Sequence, residues 1–331
     1  MLGYVARRAV VMLLMLVTLS AICFLLFSAV PTDPASLTCG KSCTPAIVAA
    51  NRVRLGLDQP LWTQYWSFLV GIVTGRSYGS GAASIACPAP CLGYSFRNQD
   101  TVTHLIAQAL PVTAQLAIGA FVLWMLIGIG TGLIAAINAG RWPDRLLTGI
   151  ALVGYSLPVF FIGLLMLVFV VIRWRLLPYP HYSSLLVDPI GWLQTMILPW
   201  IALAIVFAAF YTRLVRSEVL TTLNSDYIRT ARAVGVPEGR VVRKHALRAG
   251  LTPVVTAAGM DVAGVLGGAV ITEAVFNLPG LGRLAVSSVV DYDLPVITGV
   301  TLVAAGFIIV ANLVVDILYA VIDPRVRLAG S

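Results

Sequence analysis

Residues 105–140 read LIAQALPVTAQLAIGAFVLWMLIGIGTGLIAAINAG, without a single Asp, Glu, Lys or Arg. A helix needs about 20 such residues to cross a hydrocarbon layer about 30 Å thick, because each residue adds about 1.5 Å of rise. This run therefore predicts a spanning helix, and four others repeat its character: Ala9 to Thr32, Leu146 to Ile172, Pro189 to Thr212 and Leu294 to Val315. A sixth, Leu251 to Thr272, carries one charge, Asp261. Helices are favoured over strands because lipid offers no partner for backbone N–H and C=O groups, and these runs lack the alternation of a membrane barrel. The expected fold class is thus an all-α membrane protein with six transmembrane helices. Composition agrees: of 331 residues 59% are hydrophobic and 11% charged, against about 25% charged in an ordinary soluble domain.

The net charge of +8 invites a nucleic-acid reading, which its distribution excludes. With the N-terminus inside, fourteen Lys and Arg fall in cytoplasmic segments, from Arg7-Arg8 through the stretch 213–250 to Arg327, and eight fall outside. That asymmetry orients membrane proteins, so both termini are expected in the cytoplasm. The first apolar run exceeds the 7–15 residues of a cleaved signal and reads as a retained helix.

Residues 31–104 are too polar to span and too many for a turn, and they predict an extracytoplasmic cap. Within it Pro45 to Leu55 looks helical. Leu61 to Val73 places Trp62, Tyr65, Trp66 and Phe68 on an amphipathic helix suited to the outer headgroup layer. Four cysteines lie here, in Cys39-Gly-Lys-Ser-Cys43 and Cys87-Pro-Ala-Pro-Cys91, with Cys23 inside the first helix. Outside the cytoplasm such thiols oxidise, so Cys39, Cys43, Cys87 and Cys91 predict one or two disulfides in one of three connectivities. Zinc is the alternative, disfavoured by loose spacing and the lack of a nearby His.

Small residues recur every fourth position at Gly128, Gly132, Ala136 and Gly140, and at Gly259, Ala263 and Gly267 beside Gly264 and Gly268. Each series forms a flat strip on one helix face, either for tight internal packing or for a sliding or pathway-lining surface. The connection Arg213 to Gly250 holds eight of the fourteen inside charges. Ser225 or Asp226 is placed to cap a helix over Tyr227 to Val234, Gly235 to end it, and Pro237 with Glu238 to start a second helix reaching Gly250.

These same residues carry a resemblance to the permease subunits of bacterial ATP-binding-cassette importers, specifically the dipeptide and oligopeptide permease family. The correspondence covers nearly the whole chain. It includes Tyr4-Val5-Ala6-Arg7-Arg8, Pro31-Thr32-Asp33-Pro34-Ala35, Leu55-Gly56-Leu57-Asp58-Gln59-Pro60-Leu61 and Gly93-Tyr94-Ser95-Phe96. It is densest in Tyr227-Ile228-Arg229-Thr230-Ala231-Arg232-Ala233-Val234-Gly235 and Lys244-His245-Ala246-Leu247-Arg248. It continues in Glu273-Ala274-Val275-Phe276-Asn277-Leu278-Pro279-Gly280-Leu281-Gly282 and Asp323-Pro324-Arg325-Val326-Arg327. Where the broader importer pattern has Glu-Ala-Ala and Ile-x-Leu-Pro around its glycine, this chain has Arg229-Thr230-Ala231 and His245-Ala246-Leu247-Arg248. Gly75-Arg76-Ser77-Tyr78-Gly79-Ser80 resembles a glycine-rich motif that returns at Gly93 to Phe96, so the cysteine-bearing residues between them look inserted.

The resemblance implies a type I (MetI-like) importer core with an extracytoplasmic insertion after the first helix. It divides the chain into a tail and first helix at 1–30, the cap at 31–104, a five-helix core at 105–322 containing the loop 213–250, and a cytoplasmic tail at 323–331. It implies that Asp226, Tyr227, Ile228, Arg229, Thr230, Ala231, Arg232, Ala233, Val234 and Gly235 form a coupling helix that fits a groove on a partner ATPase. The implied partners are a second homologous permease, two ATPase subunits or domains and an external substrate-binding protein. ATP and Mg belong to the ATPases, and this chain carries no cofactor. The cargo would be a short peptide entering through the bacterial inner membrane. Nickel complexes, glutathione and haem are the alternatives within the family.

No catalytic constellation competes with this reading. Gly40-Lys41-Ser42 lacks the first glycine of a phosphate loop and lies outside the cell. His104, His181 and His245 are scattered, and no nucleophile elbow or zinc-protease helix is present. A secondary transporter would show inverted repeats and several intramembrane charges, whereas Asp261 is the one clear candidate. A mid-helix carboxylate costs about 2.5–3.5 kcal/mol on insertion scales, so Asp261 either meets a peptide ammonium or a gate, or is paired at a helix interface. Glu273 matches a family position near the outer end and either orders a gate or sits at an interface.

Overall fold

The computed structural model describes residues 2–28, 35, 44–54, 56–78 and 84–322. Cys39, Cys43, the Gly40-Lys41-Ser42 stretch, Pro31 to Pro34, Gly79-Ser80 and the tail from Asp323 lie outside the described residues. The chain divides into two compact units, Met1–Pro111 with Gly280–Ile309 and Val112–Pro279 with Val310–Ser331.

In the first unit α1 (Leu2–Ser28), α2 (Pro45–Arg54) and α3 (Leu61–Thr74) precede two hairpins. β1 (Arg76–Tyr78) pairs antiparallel with β2 (Ile85–Cys87), and β3 (Tyr94–Ser95) with β4 (Asp100–Thr101). The all-α expectation is thereby corrected to a mostly helical protein. Gly75 allows the first hairpin to follow α3 directly, since its φ is +76° and a Cβ there would lie 2.8 Å from the Cys87 carbonyl oxygen. Cys87 and Cys91 are bonded to each other. Tyr78 packs against Tyr94 and Phe96, each 6.1 Å away between ring centroids, so the two related glycine-rich motifs meet through their aromatic residues. The unit also holds α11 (Leu281–Val290) and the start of α12 (Leu294–Ile322).

The second unit is built on α4 (Val102–Ile137, shared with the first), α5 (Trp142–Ser156), α6 (Val159–Arg173), α7 (Pro189–Leu223), the short α8 (Asp226–Ala233), α9 (Glu238–Leu266) and α10 (Val270–Val275). Pro189 opens α7 at a position needing no N–H, with the Asp188 carboxylate accepting from the Gly191 N–H at 3.0 Å. The core gathers Leu116, Trp124, Met196, Tyr211 and Val215. Trp124 stacks on Phe207 at 4.5 Å.

Among the described residues four helices are long and apolar enough to cross a membrane: α4, α7, α9 and Leu294–Leu313 of α12. The expected span Leu146 to Ile172 is instead the α5–α6 pair, bent by 95°, and counting it as one crossing gives five. Pro158 causes the bend, because it has no N–H to continue the ladder and drives Leu157 into extended backbone at φ −92°, ψ 131°. The described apolar part of α1, Val10–Leu25, is shorter than the other spans. The expected run to Thr272 also breaks: α9 ends at Leu266, Gly268 turns the chain at φ +127°, and Thr272 and Glu273 belong to α10.

Candidate functional site

The stretch 213–250, expected as a folded loop, is mostly a continuation of two long helices. Helix α7 runs on through Arg213 and Arg216 to Leu223, and α9 starts at Glu238 and passes without a break into the apolar segment, through a π-helical turn at Val241–Ala246. Only α8 and its two short connections stand between them. The reason lies in the residues: nothing between Tyr211 and Leu223 breaks a helix, and the helix started at Pro237 runs on through Pro253, whose missing N–H interrupts one ladder bond without ending it, to Gly267.

Helix α8 is fixed by its ends. Gly235, at φ +85°, forms a Schellman turn in which the Val236 N–H donates to the Ala231 carbonyl at 3.1 Å and the Gly235 N–H to Arg232 at 3.0 Å. No atom lies within 4 Å of a Cβ built on Gly235, so the requirement there is backbone conformation rather than space. At the other end Ser225 is the N-cap, yet its hydroxyl donates back to the Thr222 carbonyl at 2.5 Å and caps nothing. The Ser225 carbonyl instead accepts from the Ile228 and Arg229 N–H groups. Arg232 grips Glu238 with two bonds, 2.6 and 3.0 Å, tying the end of α8 to the start of α9 across the glycine. Ile228 is fully buried, whereas Tyr227, Arg229 and Val234 are exposed.

The helices that flank α8 are joined at two levels. A Cβ on Gly250 of α9 would lie 3.3 Å from the backbone of Glu218 and Val219 of α7. Further along, the Tyr211 hydroxyl donates to the Asp261 carboxylate at 2.6 Å. Asp261 is thus paired across a helix interface while remaining partly exposed, beside Met260, which is half exposed, and Gly264, which has open space around it. Glu273 is fully buried and accepts from the Thr113 hydroxyl at 2.7 Å, joining α10 to α4. The structure does not bring Asp261 and Glu273 into one cluster, and among the described residues no group of His, Cys, Asp or Glu is arranged to hold a metal ion.

Two polar centres escaped the sequence reading. Asp144, buried at the start of α5, is held by Arg216 of α7 through two bonds, 2.5 and 2.8 Å, and also accepts from the Gly140 N–H and the Thr148 hydroxyl. The signal was present: a lone acid after Trp142-Pro143 at a helix start, and Arg213 and Arg216 just past the uncharged run of α7. Gln115 of α4 accepts from the Trp192 indole at 2.8 Å and the Tyr182 hydroxyl at 3.4 Å. An amide inside an apolar run is a weaker signal than a charge, and an uncharged window hides it.

Similarity to known proteins follows this architecture. Residues 128–328 match the family described as the binding-protein-dependent transport system inner membrane component, and residues 1–117 match the N-terminal part of such components. A putative peptide transport system permease protein of Brucella abortus is 37% identical over 328 residues, 99% of each chain. A probable peptide ABC transporter permease of Sinorhizobium fredii is 34% identical over 98% of this chain and 99% of its own. A glutathione transport system permease of Escherichia coli K12 is 38% identical over 99% of each. The fold is that of a chain in the inward-facing methionine ABC transporter, with a TM-score of 0.54 at 18% identity, over 67% of this chain and 97% of that one. The chain accordingly belongs to the inner-membrane components of binding-protein-dependent transport systems: it is a multi-pass permease subunit of an ATP-binding-cassette importer and not an enzyme.

Proposed function

We propose that this permease carries short peptides into the cytoplasm, and that Asp226 to Gly235 form the helix through which a partner ATPase drives it. The observation carrying the coupling assignment is the splice of α8 between α7 and α9, with a Schellman turn and the Arg232–Glu238 fork on one side and the two-residue connection Asn224-Ser225 on the other. A short helix held in this way moves as one body with both neighbours. In the proposed arrangement six crossings place both termini inside, α1 supplying one and the bent α5–α6 pair another. Two ATPase subunits or domains bind the α8 surfaces, and an external binding protein delivers cargo.

A second homologous permease completes the pathway. The partly exposed face of α9 that carries Met260, Asp261 and Gly264 is the surface offered to the pathway or to that second subunit, with Asp261 available to a peptide ammonium. Glu273, wholly buried, acts as an anchor for α10 and the outer gate. Closure of the ATPases on ATP alternates access to the pathway, and no bond is made or broken in this chain.

Peptide cargo is supported by the relatives named for peptide transport. Glutathione, itself a tripeptide, is the second reading, favoured by the relatives named for it. The test is uptake of labelled dipeptides, oligopeptides and glutathione into proteoliposomes holding the complete transporter and its binding protein. ATP-dependent accumulation of di- or oligopeptides is expected. Accumulation of glutathione alone reassigns the cargo, and accumulation with no ATPase present overturns the coupling.

A further inference from the structure

Asp144 lies in the first turn of α5, and Arg216 lies in α7 about 10 Å along the helix from its last residue, Leu223, beyond which α8 follows. The Arg216 guanidinium donates to both carboxylate oxygens, at 2.5 and 2.8 Å. The Gly140 N–H donates to the same carboxylate at 2.8 Å and the Thr148 hydroxyl at 3.2 Å. Those two donors belong to the turn before α5 and to α5 itself, so the carboxylate is fixed by its own surroundings and Arg216 must come to it. Asp144 is 3% exposed, and Arg216 has no other acid partner among the described residues.

Among the described residues this fork is the only side-chain hydrogen bond or ion pair that joins α5 to α7. Further along, a Cβ on Gly154 would lie 3.4 Å from the Ala209 Cβ, and the Tyr155 and Phe210 rings stand 6.4 Å apart. Contacts of that small and apolar kind let one helix slide on another by shear. A forked ion pair does not, because a shift of one turn, about 5.4 Å, leaves a buried carboxylate without its guanidinium. Beyond Ser156 the chain bends by 95° into α6, where a Cβ on Gly163 would lie 3.1 Å from the Val275 and Phe276 side chains at the end of α10. Helices α5 and α6 thus form a bent bracket that runs from the fork to α10.

We propose that Asp144 and Arg216 are positioning residues for transport. Their fork makes α5, and α6 beyond the bend, follow α7 when a partner ATPase displaces α8, so that the movement reaches α10. Stability alone does not require the pair, since well-packed apolar side chains often replace a buried ion pair without loss of stability. What an apolar pair lacks is the single register that the fork imposes. The inference rests on the coupling assignment of α8 and is independent of the cargo.

The complete transporter with its binding protein, in proteoliposomes, tests it through D144L/R216M. The variant should melt and co-purify with the ATPases as the unmodified chain does. The cargo carried per ATP hydrolysed, measured with whichever of labelled peptide and glutathione the unmodified transporter accumulates, should fall about fivefold. An unchanged ratio overturns the proposal. A second measurement leaves the fork intact and decides whether or not that variant assembles, using spin-labelled amino acids at the exposed Val153 of α5 and Ser217 of α7. Their separation should hold between the nucleotide-free and ATP-bound states to within about half of the roughly 5.4 Å of a helical turn. A larger change means that α5 slides on α7 and also overturns it. Failure of the coupling assignment looks different, because the unmodified chain would then take up cargo with no ATPase present.

Discussion

Asp261 is accommodated within an apolar helix because a neighbouring helix supplies Tyr211, whose hydroxyl bonds it at 2.6 Å. Asn at this position retains an acceptor for that hydroxyl and loses only the charge. We expect Asp261→Asn to assemble normally with its partners but to lower peptide uptake about tenfold, the effect of roughly 1.4 kcal/mol; unchanged uptake removes Asp261 from the pathway. In the first unit, the Asp293 carboxylate accepts from the Ser95 hydroxyl and from the Asn98 amide at 3.2 Å, holding the turn after β3 against the start of α12. Burial pushes this carboxyl up, the three donors around it pull it down, and nearby Asp291, itself bonded to Arg97, raises it further. A raised folded pKa means that the turn is stabilised most below the ordinary aspartate range and loses that contribution as pH rises through the folded value. Protection factors of the amides across residues 94–99, with the intrinsic pH dependence of exchange divided out, are expected to fall over that window in the native protein and to stay flat in Asp293→Asn.

The two small-residue strips look alike in sequence and differ in the fold. On α4 a Cβ at Gly128 would lie 2.5 Å from the Tyr211 Cβ, and one at Gly132 2.7 Å from the Thr212 carbonyl oxygen. On α9 a Cβ at Gly264 meets nothing within 4 Å. Gly132→Ala is expected to destabilise the isolated chain by about 1–3 kcal/mol through overpacking. Gly264→Ala should leave its melting temperature unchanged and weaken assembly or transport instead, which thermal unfolding and co-purification together would show. Spacing reveals that a strip exists, but whether its partner is this chain or another depends on contacts far away in sequence. The apolar runs were legible because the bilayer imposes them residue by residue. Their breaks were less so: hydropathy passes unchanged over Leu157-Pro158 and Gly267-Gly268, where the backbone turns for reasons of dihedral angle and not of polarity. The end of α8 was readable from Gly235, since one residue type serves that conformation best. Its first residues were readable too, with Ser225 standing at the N-cap position; what spacing did not reveal is that the Ser225 hydroxyl bonds backward to the Thr222 carbonyl instead of capping the helix.

For the whole chain, the bias of basic residues predicts which face meets the ATPases. Val234 is 78% exposed beside the Schellman turn, so a cysteine there should react with a membrane-impermeant maleimide only when the cytoplasmic face is open, and should be shielded once the ATPases are added. Reaction from the outside would invert the topology. The unbroken run of α9 has a mechanical corollary. A rod of 29 residues is about 43 Å long at 1.5 Å per residue. Tilting it by about 5° about its Glu238 end swings the opposite tip by roughly 4 Å, on the scale of a helical turn. If Glu238 is the driven end, the displacement grows along the helix toward Gly267-Gly268, and the π-helical turn at Val241–Ala246 and Pro253 are the two places where the rod can yield.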